Sequence, residues 1–440
     1  MRQILVLGAG LVARPLVRYL LEEPDFQLTV ATRTVAKAND LLNKHPRGNA
    51  VQVNVRDEVA MRDLISHADI VISLLPWIHH MDVARLCVEY SKHLVTTSYV
   101  KPEMRALDAE VRAKGLIFLN EIGVDPGIDH MAAMRVIDNV KTNGGDIVSF
   151  FSYCGGLPAL RDNNNPLGYK FSWSPVGVML AAKNNGRYLK DRAIIDVAPE
   201  QLFEHYHLLD VPGAGCYEAY VNRDALPYIE LYGIMGTRSM YRGTLRNIGH
   251  CESWNHFKRL GLLDQERTFD FAATSPRQML AALVDSNGDD VPSDVARYLD
   301  IPHYSITIKK LEWLDMFSEK KLSLGEISVF DMFAYVLQHR LQFAPGEVDM
   351  LLQHHEFEAE YPDGRRELIT STMVDTGIPD GDSSMARTVS LPAAIATKMI
   401  LQGRISLNGV HIPVLPEIYN PVLDELESMN IRLNETIHTL

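Results

Sequence analysis

A short apolar run at residues 3–7 leads straight into Gly8-Ala9-Gly10-Leu11-Val12-Ala13, and Leu16, Val17, Leu20 and Leu21 then recur at helical spacing. Strand, glycine turn, helix is the setting in which each small residue has a task toward a dinucleotide's pyrophosphate. Gly8 makes the tight turn, Gly10 lets the backbone approach the phosphates, and Ala13 lets the helix pack close to the strand. The first helical N–H groups have no partner of their own and point at the phosphates. Arg33 adds a second signal. NAD-type sites place an acidic residue about 20 residues past the glycines to hold the ribose hydroxyls. Here the second strand ends Ala31-Thr32-Arg33-Thr34, with Lys37 one helical turn on. A guanidinium fork flanked by hydroxyls suits a 2′-phosphate. The sequence therefore predicts NADP rather than NAD, held by Gly8, Gly10, Leu11, Val12, Ala13, Thr32, Arg33 and Thr34. Ser73 and Leu74, at the end of a fourth apolar strand, either floor the nicotinamide half or pack the core.

Two more strand ends carry groups able to hold or move protons: Thr96-Thr97-Ser98-Tyr99, and the segment Asn120-Glu121-Ile122-Gly123-Val124-Asp125-Pro126. Asp125-Pro126 predicts an N-cap and first helical residue, opening a helix that runs to residue 140. The same carboxylate is also able to accept a substrate amine. Cys154 precedes a Gly155-Gly156 turn and reads as a small buried hydrophobe or a polar neighbour of the chemistry. Tyr99, Asp125 and Cys154 are the catalytic candidates, in positioning and electrostatic roles first. His79-His80 and His354-His355 lack the spacing of a ligand set, so no metal is predicted.

These residues need elements to position them. Alternating strand and helix patterns through residues 3–119 predict six parallel strands in a doubly wound Rossmann-type sheet, with ligands at the strand C-terminal ends. One continuous helix is predicted over residues 102–114. Residues 1–127 form the expected dinucleotide-binding domain. Residues 128–390 form an α+β substrate domain with a helical insertion at about 255–343, and residues 391–440 return to the nucleotide domain. Residues 161–175 are polar and loop-like. A hairpin is predicted around Pro362-Asp363-Gly364.

Composition narrows the class. The 440 residues are 46% hydrophobic and 22% charged, which suits folded domains rather than a disordered chain. A net charge of −13 argues against a general nucleic-acid binder. No apolar run approaches the ~18 residues of a membrane span, and the N-terminus does not read as a signal peptide. The four cysteines are scattered, which suits a reducing cytoplasm.

In order along the chain, GAGLVARP, ISLLPWIHH, VTTSYV, NEIGVDPGIDHM, YCGGLPA, NPLGYKFSWSPVG and NRDALPYIELYGI resemble the glutamate-forming saccharopine dehydrogenase family, over nearly the whole chain. The resemblance implies an NADP-dependent oxidoreductase that interconverts saccharopine with glutamate and 2-aminoadipate 6-semialdehyde. It maps Ser98, Tyr99, Asp125, Arg223, Thr244, Leu245 and Arg246 onto the substrate and Ser174 onto the cofactor. Three substrate carboxylates in a chain of net charge −13 require local cations, which are Arg223 and Arg246 on this mapping. Asn247 stands where relatives usually carry an aromatic residue. Two alternatives stay open: a carboxynorspermidine- or homospermidine-type oxidoreductase, and a redox sensor that binds NADP without turnover. No nucleic acid or membrane partner is expected, and a homodimer is open.

Overall fold

The computed structural model describes residues 1–440. It divides into two compact units: Met1–Phe150 with Tyr228–Thr237 and Gln353–Leu440, and Phe151–Pro227 with Arg238–Leu352.

The first unit is built on strands β1 (Arg2–Leu7), β2 (Phe26–Thr32), β3 (Gly48–Gln52), β4 (Ile70–Ser73), β5 (His93–Thr96) and β6 (Ile117–Leu119). They alternate with helices α1 (Ala13–Glu22), α2 (Val35–Leu42), α3 (Glu58–Ser66) and α4 (His80–Glu89), then α5 (Pro102–Arg105) and α6 (Asp108–Ala113). All pairings are parallel, so the doubly wound sheet is present. It has seven strands rather than six, because Gly409–His411 pairs with β6 at the far edge, giving the order 409–411, β6, β5, β4, β1, β2, β3. Ile4–Leu7 and Ile70–Ser73 are buried on both faces, as a covered parallel sheet requires. The α1 face that shuts onto the sheet is Ala13, Leu16, Val17, Leu20 and Leu21. Each large apolar side chain there stabilises the fold by roughly 1.5–3 kcal/mol. Register aligns the strand ends: Leu7 lies beside Ala31 on one side and Ser73 on the other, and Ser73 lies beside Thr96. The strand order reverses at β1, between β2 and β4, which is where such sheets take ligands.

Two local expectations need correction. The helix predicted over 102–114 is two pieces, α5 and α6. Asp108 opens the second piece and accepts the Val410 N–H at 2.8 Å, so the break serves the added seventh strand. Asp125 is not an N-cap: helix α7 (Ile128–Thr142) starts after Gly127, and the Gly127 N–H is taken by Asp129 at 2.5 Å.

Strand β7 (Asp146–Pro158) runs from the first unit into the second. In the first unit it leads a mixed sheet continued by the hairpin Asp349–Glu360 and Arg366–Thr376 and by Asn434–Thr439. The hairpin closes through Tyr361 and Gly364, with Gly364 in a left-handed conformation. Helix Ser384–Leu401 packs on α1, where Asp382 meets Arg14 at 2.5 Å and Arg18 at 3.1 Å.

The second unit contains β8 (Gly186–Lys190), β9 (Ala193–Val197), β10 (Tyr206–Val211), β11 (Gly215–Val221) and β12 (Ser239–Arg246), ordered β10-β11-β12-β7 with β8 and β9 alongside. Five helices follow: His250–Arg259, Pro276–Leu283, Val291–Leu299, Ile306–Trp313 and Val329–Arg340. They share one core with the sheet, including Tyr217, Leu245, Phe257, Leu280, Val295 and Phe333.

Candidate active site

At the β1 end Gly8 is left-handed (φ +108°), and a Cβ there would lie 3.1 Å from the Leu74 carbonyl oxygen, so the turn requires glycine. A Cβ on Gly10 would meet nothing within 4 Å and would project into open space before α1. That space belongs to a cleft of about 530 Å³ walled by Gly8, Gly10, Thr32, Arg33, Thr34 and Leu74 among others. Its wall also carries Lys37, Asn54 and Arg56 and contains no carboxylate. Arg33, Lys37 and Arg56 are exposed, and none of their side chains is ion-paired. A glycine cradle at a helix N-terminus, ending in three cations, fits a dinucleotide with a 2′-phosphate. The other residues predicted for the cofactor lie elsewhere. Leu11 points to solvent, Val12 precedes α1, and Ala13 is buried beneath the helix, its N–H donating to the Gly10 carbonyl. Ser73 is buried and bonded to His80 at 2.9 Å. Ser174, in the second unit, caps helix Pro175–Ala181 by accepting the Gly177 N–H.

The ends of β5 and β6 hold a polar network. The Tyr99 hydroxyl donates to Asp125 Oδ1 at 2.8 Å, so two of the predicted residues are in contact. Glu121, left-handed at φ +56° and buried, accepts the Val100 N–H at 2.9 Å and meets His130 Nε2 at 2.8 Å. His130 Nδ1 lies 2.6 Å from the Tyr232 hydroxyl. His80, at the start of α4, bridges Ser73 Oγ (2.9 Å) and Ser98 Oγ (2.8 Å). Burial and the neighbouring His79 push its pKa down to about 4, so the ring is neutral at physiological pH. Of the other paired histidines, His354 bonds Thr372 and His355 bonds Gln353. No group of three His, Cys, Asp or Glu side chains is placed to hold a metal ion.

In the second unit Cys154 is buried on β7, and a Cβ on Gly155 would be 2.8 Å from Leu245 Cβ, so only glycine allows the two strands this approach. Thr244 lies beside Tyr220, Leu245 beside Ala219 and Arg246 beside Glu218. Leu245 is a fully buried core residue. Arg246 is only 6% exposed, yet has no ion pair. Its Nη1 donates to the Leu245 carbonyl at 3.0 Å, its Nε has no partner, and its guanidinium stands 5.1 Å from the Tyr169 ring centre. Tyr220 stacks on His250 at 6.2 Å, and His250 on Trp254 at 5.5 Å. Burial first, then the Arg246 charge, hold His250 well below the usual histidine pKa. An arginine cannot shed its proton. A buried, unpaired guanidinium among neutral aromatic rings can therefore receive an anion. Arg223, by contrast, is exposed on the left-handed turn after β11 (φ +60°). Asn247 anchors the 161–175 segment by donating to the Gly168 carbonyl at 2.7 Å.

Arg56 was not singled out from sequence, and His80, Glu121 and Tyr169 were read in other roles: His80 as half of a histidine pair without ligand spacing, Glu121 as part of a strand end, and Tyr169 as an anchor of the 161–175 loop. Arg56 becomes visible only once β3 is known to flank β2.

Residues 4–119 match the family model described as the saccharopine dehydrogenase NADP binding domain, and residues 123–431 that of the saccharopine dehydrogenase C-terminal domain. The chain is 38% identical over 447 residues to saccharopine dehydrogenase [NADP(+), L-glutamate-forming] of Schizosaccharomyces pombe, covering 99% of each chain. It is 34% identical to the mitochondrial alpha-aminoadipic semialdehyde synthase of Mus musculus, covering 98% of this chain and 47% of that one. The solved apo saccharopine dehydrogenase (L-Glu forming) from Saccharomyces cerevisiae superposes with a TM-score of 0.91 at 35% identity, covering both chains completely.

Proposed function

The chain belongs to the saccharopine dehydrogenase family, and from that premise we infer that it is an NADP-dependent oxidoreductase interconverting saccharopine with glutamate and 2-aminoadipate 6-semialdehyde. The observation that carries the substrate class is Arg246, a buried guanidinium with no carboxylate of its own. Leaving an ion unpaired away from water costs several kcal/mol. A tricarboxylate ligand supplies the missing partner; a polyamine substrate would call for acids at that position.

Arg33, Lys37 and Arg56 would hold the cofactor's 2′-phosphate, and Gly8 and Gly10 would make room for its pyrophosphate. Bound there, NADP supplies the acceptor for a hydride from the CH–NH carbon. We assign Ser98, Tyr99, Asp125, Arg223, Thr244, Leu245 and Arg246 to the substrate. The secondary amine must be uncharged before hydride can leave. Asp125, its Oδ1 held by the Tyr99 hydroxyl, is suited to orient that nitrogen by accepting its N–H. Water then adds to the imine and the C–N bond breaks, with Tyr99, Asp125 and Cys154 as the polar neighbours of those proton transfers. A homodimer and the cytoplasm complete the proposal. No helix is long and apolar enough to cross a membrane, and no disulfide joins the four cysteines.

The test is a steady-state assay crossing saccharopine and carboxynorspermidine with NADP and NAD, read as nicotinamide reduction. Turnover of saccharopine with NADP is the expected result. NADP binding without turnover would replace this reading with a sensor, and preference for carboxynorspermidine would remove the carboxylate argument from Arg246.

A further inference from the structure

His80 is the one buried histidine that ties the ends of two neighbouring parallel strands together through their hydroxyls. Its Nδ1 lies 2.9 Å from Ser73 Oγ at the end of β4. Its Nε2 lies 2.8 Å from Ser98 Oγ and 3.3 Å from Thr96 Oγ1, both beyond or at the end of β5. His80, Ser73 and Thr96 are all at least nine-tenths buried, while Ser98 is half-buried and reaches the surface of the unit. Burial keeps the ring uncharged at physiological pH, so one nitrogen carries a hydrogen and the other accepts.

The contacts admit both tautomers, and a carboxylate ligand on Ser98 is what favours one of them. Thr96 Oγ1 already accepts the Ser98 N–H at 3.4 Å and presents an oxygen toward Nε2. A hydrogen on Nε2 would then be shared between two oxygens, Ser98 Oγ and Thr96 Oγ1, while Nδ1 accepts from the Ser73 hydroxyl. In the other tautomer Nε2 takes a hydrogen from a hydroxyl, and the nearer of the two is Ser98 at 2.8 Å, which would then have none for a ligand. A carboxylate ligand needs a donor.

We propose that His80 is a positioning residue for the reaction: its ring, in the Nε2–H tautomer, takes the hydrogen of Ser73 and gives its own to Ser98, which turns the Ser98 hydroxyl hydrogen toward a substrate carboxylate. This rests on the assignment of Ser98 to the substrate, and it sets the polarity of a hydroxyl whose orientation would otherwise be unconstrained. Leu74, next to Ser73, is on the cofactor cleft wall, so the same ring joins the strand end that borders the cofactor to the one that carries Ser98.

The test is a double-mutant cycle on the full chain, with KM for saccharopine and kcat measured separately. His80→Leu keeps an apolar side chain of similar bulk and removes both ring nitrogens. We expect it to raise KM about tenfold with kcat changed less than about threefold, the size of one hydrogen bond to a charged group. Ser98→Ala should raise KM by a similar factor, and the double variant should be no worse than Ser98→Ala alone, because His80 acts through Ser98. His80→Gln, whose amide nitrogen can stand where Nε2–H does, should recover most of the loss. His80→Asn, which replaces only the Nδ1 side, should not. Should His80→Leu fail to fold, the contrast between His80→Gln and His80→Asn decides in its place. Factors that multiply in the double variant, or a normal KM in His80→Leu beside a raised KM in Ser98→Ala, overturn the role of His80. A normal KM in Ser98→Ala overturns the assignment of Ser98 and the proposal with it, whereas absence of any turnover in the unaltered chain overturns the function itself.

Discussion

Arg246 is where burial and charge conflict most openly, because its guanidinium is 6% exposed, its Nε is unbonded, and no acid is within ion-pair reach. A group kept that way costs the folded state stability, and replacing it with an apolar side chain of similar volume should be neutral or stabilising by about 1–4 kcal/mol. Arg246→Met is therefore expected to leave the melting temperature unchanged or raised, while KM for saccharopine rises by about 10²-fold or more as a desolvated carboxylate loses its partner. Thermal unfolding and steady-state kinetics on the same preparation check both halves. A lower melting temperature with an unaltered KM would make Arg246 a structural residue. The importance of Arg246 was legible in sequence only through family motifs, since nothing in Gly243-Thr244-Leu245-Arg246 says that the last residue is buried. The place of Arg33 was legible from its own position, because the end of the second strand of such a fold borders the cleft at the strand ends whatever the rest of the chain does. Arg56 follows β3 and becomes relevant only through the parallel pairing of β3 with β2, a non-local fact.

Helix His250–Arg259 shows how an element far along the chain holds a site residue in place. Its N-terminus is received by Glu218 of β11, whose two carboxylate oxygens accept the Gly249 and Cys251 N–H groups, each at 2.7 Å. Lys310 grips the same turn from Ile306–Trp313, donating to the Gly249 carbonyl at 2.6 Å and to Ser253 Oγ at 2.7 Å. Burial lowers the Lys310 pKa to about 8, against the pull of Glu218 and Glu252. Glu218 thus satisfies two helix N–H groups that have no helical partner and also acts electrostatically on a buried lysine, while both of its oxygens stay committed to the helix and neither pairs with Arg246 beside it in register. Glu218→Ala should cost about 3–5 kcal/mol, because it leaves two buried donors and a buried cation uncompensated. Glu218→Gln, which retains one carbonyl acceptor, should cost less. Urea unfolding midpoints test the pair, and a Glu218→Ala midpoint equal to that of the unaltered chain would show that water takes over the carboxylate's role. At this scale α1 and the hairpin were readable. The seventh strand was not, because Gly409-Val410-His411 has too few residues to show a period and is a strand only by pairing with β6. The start of α7 was misread for a similar reason. Asp125-Pro126 is a good local cap signal, but the helix starts at Ile128, Asp129 accepts the Gly127 N–H, and Asp125 turns to Tyr99.

For the whole molecule the governing tension is a net charge of −13 in a protein whose cofactor, and by proposal whose substrate, are polyanions. The repulsion is spread over the surface and acts at tens of ångströms. On the proposed cofactor site the attraction is concentrated in Arg33, Lys37 and Arg56, exposed on one cleft wall, and would act within contact distance of the phosphate. Salt separates the two, because the Debye length falls from ~30 Å at 0.01 M to ~10 Å at 0.1 M and ~3 Å at 1 M. Raising salt from about 0.01 to 0.1 M should first screen the long-range repulsion and leave the contacts largely intact, so NADP affinity should hold steady or improve slightly. Beyond that the Debye length shrinks to the size of the contacts, and because the three cations are exposed rather than buried, affinity should fall several-fold by about 1 M. NAD lacks the 2′-phosphate, so its affinity should keep the first, shallow part of that response and lose most of the second. Titrating NADP and NAD at three ionic strengths by protein fluorescence measures both curves. Parallel curves for the two dinucleotides across the whole range would mean that the cluster at the end of β2 and β3 does not read the 2′-phosphate. A steep fall for NADP already between 0.01 and 0.1 M would mean that the local cations outweigh the net charge even at long range, so that the chain attracts its cofactor by steering as well as by contact.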